Sequence, residues 1–171
     1  QNMMAWRFFK KYVPGFENAY IVRTCPEARI RETRRIMGDY KLSFEDIRDA
    51  RKFDDVIGKS AFPTGAKHAV NGRALALEAM AVPKDLGSND IPYRVLVVKG
   101  LENIMVAGKA VSADRASHQR FLQQTVVTGQ AAGVAAALCA RDGITPRQLE
   151  ENVKELQEIL VSQGAILYGT H

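Results

Sequence analysis

"NIMVAGKAVSADRASHQRFLQQTVVTGQAAG", residues 103–133, is the stretch on which the fold turns. It opens with an apolar, strand-like run that stops at Ala107-Gly108. A polar segment follows, and then the pattern predicts a helix from near Arg120 to about Arg141. A strand end facing a helix N-terminus is a place to hold an anion or the polar edge of a ligand. Free N–H groups point outward there, and the helix dipole favours negative charge. Gly108 lets a ligand approach the backbone without a Cβ in the way. Arg120 adds a fixed positive charge beside the helix start. Further along, Gly129, Ala131, Ala132, Gly133 and Ala135 make a smooth helix that can pack closely on a sheet or a cofactor. Alanine is also the best helix former, and smooth helices fill ordinary cores, so both readings stand at this point. Gly129 lies more than two turns inside the helix, beyond its free N–H groups, so Gly129 and Gly133 belong to the helix body rather than to a ligand cradle.

Working outward, "YRVLVV" (93–98) and "NIMVAG" (103–108) read as two strands separated by Lys99-Gly100. Residues 28–42, "ARIRETRRIMGDYKL", read as two short strands or one bent one. Ser43, with Asp46 three residues on, caps a short helix over residues 44–51. Residues 58–90 carry most of the loop chemistry, interrupted by a predicted helix from Asn71 to Met80. Met3, Trp6, Phe9 and Val13 recur at helical spacing, giving a helix over 3–13 that ends near Pro14-Gly15. At the other end, Thr145-Pro146-Arg147-Gln148 is a capping box with proline at the first helical position. Leu149, Val153, Leu156, Ile159 and Leu160 form one apolar stripe behind it. Strands and helices both occur, so the fold class is α/β or α+β: a small mixed sheet with packed helices. The chain divides into a segment 1–92 and a segment 93–171, expected to form one compact unit.

The 171 residues are 46% hydrophobic and 25% charged, the balance of an ordinary globular domain. The net charge of +5 permits an anionic ligand without demanding one. No apolar run is long enough for a transmembrane helix, so no membrane partner is expected. The first residues lack the pattern of a signal peptide, and two cysteines are too few for a disulfide framework. Both favour a cytoplasmic location. Three histidines without a CxxC make a zinc site improbable, and no metal is expected. The basic cluster Arg31, Arg34 and Arg35 lacks interleaved aromatics, so no nucleic acid is expected either.

"NIMVAG", then Ser112, Arg120 and "GQAAGVAAAL" (129–138), together resemble the C-terminal signature of FAD-dependent oxidoreductases. "RETRRIMGDYKLSFEDI" (31–47), "IPYRVLVVKGLENIMVAG" (91–108), "VPGFENA" (13–19) and "LQEILVSQGAIL" (156–167) fit the same family in order. The likeness is closest to bacterial flavoproteins loosely related to fumarate reductase and succinate dehydrogenase. It implies FAD as cofactor of the full-length parent, and a small-molecule substrate. Members bind the adenosine half of FAD through an N-terminal strand–GxGxxG–helix unit. This sequence has no Gly-x-Gly. The resemblance therefore implies a partial FAD-binding domain without the N-terminal Rossmann βαβ unit, inactive alone, with that missing dinucleotide-binding portion as its partner. An apolar surface left bare in this way invites self-association.

By similarity, Gly108 and Lys109 line the pyrophosphate or ribityl region of FAD. Arg120, Phe121, Leu122 and Gln123 face the pyrimidine edge of the isoalloxazine. Lys109 stands where the family often has Arg, the middle loop "FPTGAKH" displaces His68, and the segment from Ser112 to Arg120 is slightly short. His118 has the residue type for proton transfer near the flavin, or is a surface loop histidine. Arg31, Arg34 and Arg35 read either as a carboxylate-binding set or as a solvated strand face paired with Glu32 and Asp39. Catalytic roles are accordingly expected at His118, Arg34 and Arg120. Glu45, Asp46, Asp54 and Asp55 read as helix caps and a solvated face, and Cys139 as inert core. The competing class is a non-catalytic domain that docks a protein partner through the Arg31–Arg35 face and the smooth helix.

Overall fold

The computed structural model describes residues 1–27, 34–65 and 80–169. The chain divides into two compact units, residues 1–30 and 31–171. In the first, helix α1 (Asn2–Tyr12) ends where Val13 turns extended, and its N–H bonds back to Phe9 O at 3.0 Å. The following loop folds over the helix. Trp6 Nε1 donates to Ala19 O at 3.0 Å, and the rings of Phe9 and Phe16 stack with centroids 5.3 Å apart. The helix predicted from the Met3, Trp6, Phe9 spacing is present.

The second unit holds four helices among its described residues: α2 (Phe44–Arg48), α3 (Leu122–Asp142), α4 (Pro146–Glu150) and α5 (Lys154–Ser162). Strand β1 (Val56–Ser60) pairs antiparallel with β4 (Asn89–Pro92), and β2 (Thr64–Gly65) pairs with β3 (Met80–Ala81). The mixed α/β class is thus observed. The sheet expected to be mixed has only antiparallel ladders among the described residues; the parallel pairing is a lone bridge, Leu42 to Ala113.

Both capping boxes form. Ser43 Oγ accepts from Asp46 N–H at 3.2 Å, and Asp46 Oδ2 accepts from Ser43 N–H at 2.9 Å. Thr145 Oγ1 accepts from Gln148 N–H at 3.2 Å, and Gln148 Oε1 accepts from Thr145 N–H at 2.8 Å. The predicted stripe Leu149, Val153, Leu156, Leu160 is buried, but it runs across two helices. The break at Asn152 re-aims α5 so that Gln157 Nε2 reaches the carbonyls of Asp54 and Val56 at 2.7 and 3.0 Å.

The strands expected over 93–98 and 103–108 are a correction. Tyr93–Val95 is a 3-10 turn, and Val97–Met105 is an isolated bridge. Tyr93, Val95, Leu96 and Val97 are at most 1% exposed, so this segment is the centre of the core. Its carbonyls serve different neighbours: Arg94 O takes Tyr40 N–H, Val95 O takes Ser112 N–H, Leu96 O takes Val106 N–H and Val97 O takes Asp39 N–H. An apolar run cannot distinguish such a ribbon from a strand, because burial on every side erases periodicity. Residues 34–42 likewise carry isolated bridges, Gly38–Val98 and Leu42–Ala113, rather than a strand. Arg31, Glu32, His68 and all but the last residue of the helix predicted over Asn71–Met80 lie outside the described residues; Met80 itself belongs to β3.

Asp55 is also a correction. It is 7% exposed, not solvated, and grips the Arg94 guanidinium at 2.9 and 3.1 Å. Among the described residues, Asp39 pairs with Arg147. Asp46 joins Tyr40 and Arg51: Tyr40 OH donates to Oδ2 at 2.8 Å and Arg51 Nη1 to Oδ1 at 2.9 Å. Burial and the Asp46 carboxylate push the Tyr40 phenol up to about 12, so it stays a donor. Burial alone would raise the Asp46 carboxyl. The bonds from Ser43, Tyr40 and Arg51 outweigh it and hold the group below its ordinary 3.8.

Two measurements check this frame. A Cβ at Gly58 would lie 2.3 Å from Val127 Cγ1, and valine on a helix has little rotameric freedom to yield. Gly58→Ala is expected to destabilise the chain by about 1–3 kcal/mol in urea unfolding, with part of the loss recovered by adding Val127→Ala. Asp46 contributes stability that is whole above its unfolded pKa and lost as pH falls through the depressed folded one. Acid titration of stability is expected to be shallower in Asp46→Asn than in the parent chain.

Candidate functional site at the start of helix α3

The turn Gly108–Ala110 and the start of α3 come together. Gly108 has φ +74°, a left-handed conformation that favours glycine. Its N–H donates to Thr128 Oγ1 at 3.0 Å, two turns into the helix, and a Cβ there would meet Thr125 at 3.8 Å. Ala110 O accepts from Ile36 N–H at 2.9 Å, which brings the segment holding Arg34 and Arg35 alongside the turn. Arg34 itself is exposed and Arg35 half-buried.

Helix α3 starts at Leu122, after Phe121 in extended conformation. The first helical bond runs from Thr125 N–H to Phe121 O at 2.9 Å, so the amides of Leu122, Gln123 and Gln124 precede any helical acceptor. The first turn contains no acidic residue. Gln124, buried, fixes this start: its Oε1 accepts from Phe121 N–H at 3.3 Å and its Nε2 donates to Ser60 Oγ on β1 at 2.9 Å. Leu122 and Gln123 are exposed.

The loop before α3 is pinned by Asp114. Its Oδ1 accepts from Ala116 and Ser117 N–H at 2.9 and 2.7 Å, and its Oδ2 caps α2 through Phe44 N–H at 2.9 Å. His118 is 1% exposed, so the surface-histidine alternative is corrected. Its Nδ1 lies 3.1 Å from Arg115 O. A carbonyl only accepts, so Nδ1 carries the proton and Nε2 is the basic nitrogen. The Phe121 ring sits 4.2 Å from Phe62 and 5.8 Å from His118, with the Arg120 guanidinium 5.6 Å from its centroid. Gln119 is fully buried with Oε1 unpartnered among the described residues.

The structure therefore gathers Gly108, Lys109, His118, Arg120, Phe121, Leu122 and Gln123 around one helix start. Arg34 stands on the neighbouring segment. The arrangement offers amide donors, a guanidinium and an aromatic face, and it carries a helix dipole unopposed by acid. That donor set fits an anionic or polar-edged planar group. The cavities of about 820, 400 and 470 Å³ are lined by other described residues. Among the described residues, no group of three His, Cys, Asp or Glu side chains is placed to hold a metal. No helix there is long and apolar enough to cross a membrane.

The family model for FAD dependent oxidoreductases matches residues 2–160. The chain belongs to this family. No curated protein and no solved structure matches it. The match covers the Gly108 turn, the α3 start and the helices behind them up to residue 160 in α5. Thr128 and Gln124 went unrecognised in the sequence. A glutamine three residues after the residue preceding a helix is a capping signal that points to Gln124; a threonine twenty residues from its glycine partner gives no local signal.

Thr128→Val leaves the Gly108 N–H without its acceptor. It is expected to cost about 1–3 kcal/mol in denaturant unfolding, while Thr128→Ser stays within about 1 kcal/mol of the parent.

Proposed function

We propose that this chain is the flavin-facing C-terminal part of an FAD-dependent oxidoreductase, and that a dinucleotide-binding portion covers the bare face of α3. The observation that carries the reading is that face. Leu122, Val126, Gly129, Gly133, Ala136 and Ala140 are exposed and lie along one side of the 21-residue helix. Leu122 is 77% and Val126 60% exposed, and a Cβ on Gly129 or Gly133 would meet nothing within 4 Å. A solvated helix normally turns polar residues outward. The family match and the absence of any Gly-x-Gly in the sequence support this choice of covering, a strand–glycine–helix unit that holds the adenosine half of FAD.

In this reading Gly108 and Lys109 approach the pyrophosphate or ribityl chain. The amides of residues 122–124 and the Arg120 guanidinium stabilise negative charge at the pyrimidine edge. Phe121 and Leu122 exclude water, and Gln123 adds a side-chain donor. Bound FAD supplies the hydride chemistry. His118 exchanges a proton through Nε2, since Nδ1 is committed to Arg115 O. Arg34 meets a carboxylate of a small-molecule substrate.

The isolated chain is expected to carry less than stoichiometric flavin and to turn over no substrate. A polypeptide that also contains the dinucleotide-binding portion is expected to bind flavin one to one, with the yellow absorption band. Gly133→Trp should cut flavin occupancy in the longer polypeptide while leaving the melting of the isolated chain unchanged. Stoichiometric flavin in the isolated chain, or full occupancy with Trp at 133, overturns the proposal.

A further inference from the structure

A cavity of about 820 Å³ lies away from the α3 start, between β1, the α4–α5 junction and the tail at Leu167. Lys52, Lys59 and Asp90 stand together in its wall. Lys59 on β1 is opposite Asp90 on β4 in the ladder register, and its Nζ donates to Asp90 Oδ1 at 2.8 Å. Lys59 and Asp90 side chains are only 7% and 4% exposed. Lys52 Nζ lies 3.6 Å from the same Oδ1 and donates to Ser88 O at 2.6 Å. Asp90 Oδ2 is occupied by Phe53 N–H at 3.0 Å. One carboxylate thus faces two ammonium groups, and only Lys52, with its side chain 49% exposed, opens to solvent.

We propose that Lys52 is a modification site, a nucleophilic amine at the cavity mouth that takes small acyl groups from activated donors such as acyl phosphates. The buried Lys59–Asp90 pair satisfies the carboxylate, so the second ammonium is held by a shared oxygen and repelled by its neighbour. Desolvation first, and the Lys59 ammonium after it, keep the Lys52 amine below the ordinary lysine range, against the pull of Asp90. The other charged groups lining the cavity are Asp54 and Asp55 before β1, Glu150 and Glu151 at the end of α4, and Lys154 at the start of α5. Asp55 is taken up by Arg94. Phe53, Val153 and Leu167, all buried, offer the acyl chain an apolar wall.

In the step, the neutral Nζ attacks the acyl carbon and a C–N bond forms. The C–O bond to phosphate breaks, phosphate leaves with the electron pair, and the Nζ proton passes to water. Nothing is oxidised or reduced. The product amide loses one positive charge, keeps an N–H for Ser88 O, and leaves Asp90 paired with Lys59, so the fold tolerates it.

The test is competitive acetylation of the folded chain with acetyl phosphate across a pH series, read by peptide mass spectrometry, with the exposed Lys41 and Lys99 as references. Lys52 is expected to label several-fold faster than both near about pH 8, and to reach half its maximal rate at lower pH. Lys59→Met is expected to bring Lys52 down towards the reference rates. A wild-type Lys52 no faster than Lys41 and Lys99 overturns the proposal. So does a fast Lys52 whose rate is unmoved in a folded Lys59→Met chain. If that variant does not fold, the half-maximal pH of Lys52 against the two references decides.

Discussion

The second unit depends on one constraint: the segment around Tyr93, Val95, Leu96 and Val97 is buried, and its peptide groups must each find a partner. No single neighbouring strand supplies them. Four consecutive carbonyls, from Arg94 to Val97, are taken by Tyr40, Ser112, Val106 and Asp39. Tyr93 N–H bonds to Asp55 O at 2.8 Å, and Tyr93 OH donates to Pro146 O at 3.1 Å, tying the start of α4 to the same ribbon. Because the partners come from distant parts of the chain, the ribbon fixes loops that have little regular structure of their own. The turn Gly108–Ala110 follows from it: Val106 is held by Leu96 and Ser112 by Val95, which leaves the intervening residues a short, fixed span.

Helix α3 is placed by polar side chains as much as by its small residues. Gln124 hooks its first turn to Ser60 on β1, and Thr128 hooks its second to Gly108. The close approach at Gly58, where valine packs directly on backbone, sets the separation of helix and strand. Ala131, Ala135 and Leu138 then bury the inner face. The exposed amides at the helix start keep their direction because buried groups, not solvent-exposed ones, hold the helix.

How much of this was legible in the sequence depended on how local the cause was. The capping boxes at Ser43 and Thr145 were readable because both halves lie within four residues. The long helix was readable from composition, whereas the strand end expected at Gly108 is a 3-10 turn. The β1–β4 ladder was not readable: Gly58, Lys59 and Pro92 spoil its alternation, and its strands lie far apart in the chain. The burial of His118 was hidden because its neighbour Phe121 is packed by Phe62, which lies far back in the chain. Asp55 looked like a surface acid until tertiary structure brought Arg94 to it.

The glycines of α3 have a consequence for anyone who engineers this chain. Glycine inside a helix is less favourable than alanine by about 0.5–1 kcal/mol. At Gly129 and Gly133 the chain has empty space where a Cβ would stand. A stability screen run on these residues alone would therefore discard both glycines and enrich larger side chains. Thermal robustness selected in that way would come with added bulk on the exposed small-residue face of α3, the face proposed above to be covered.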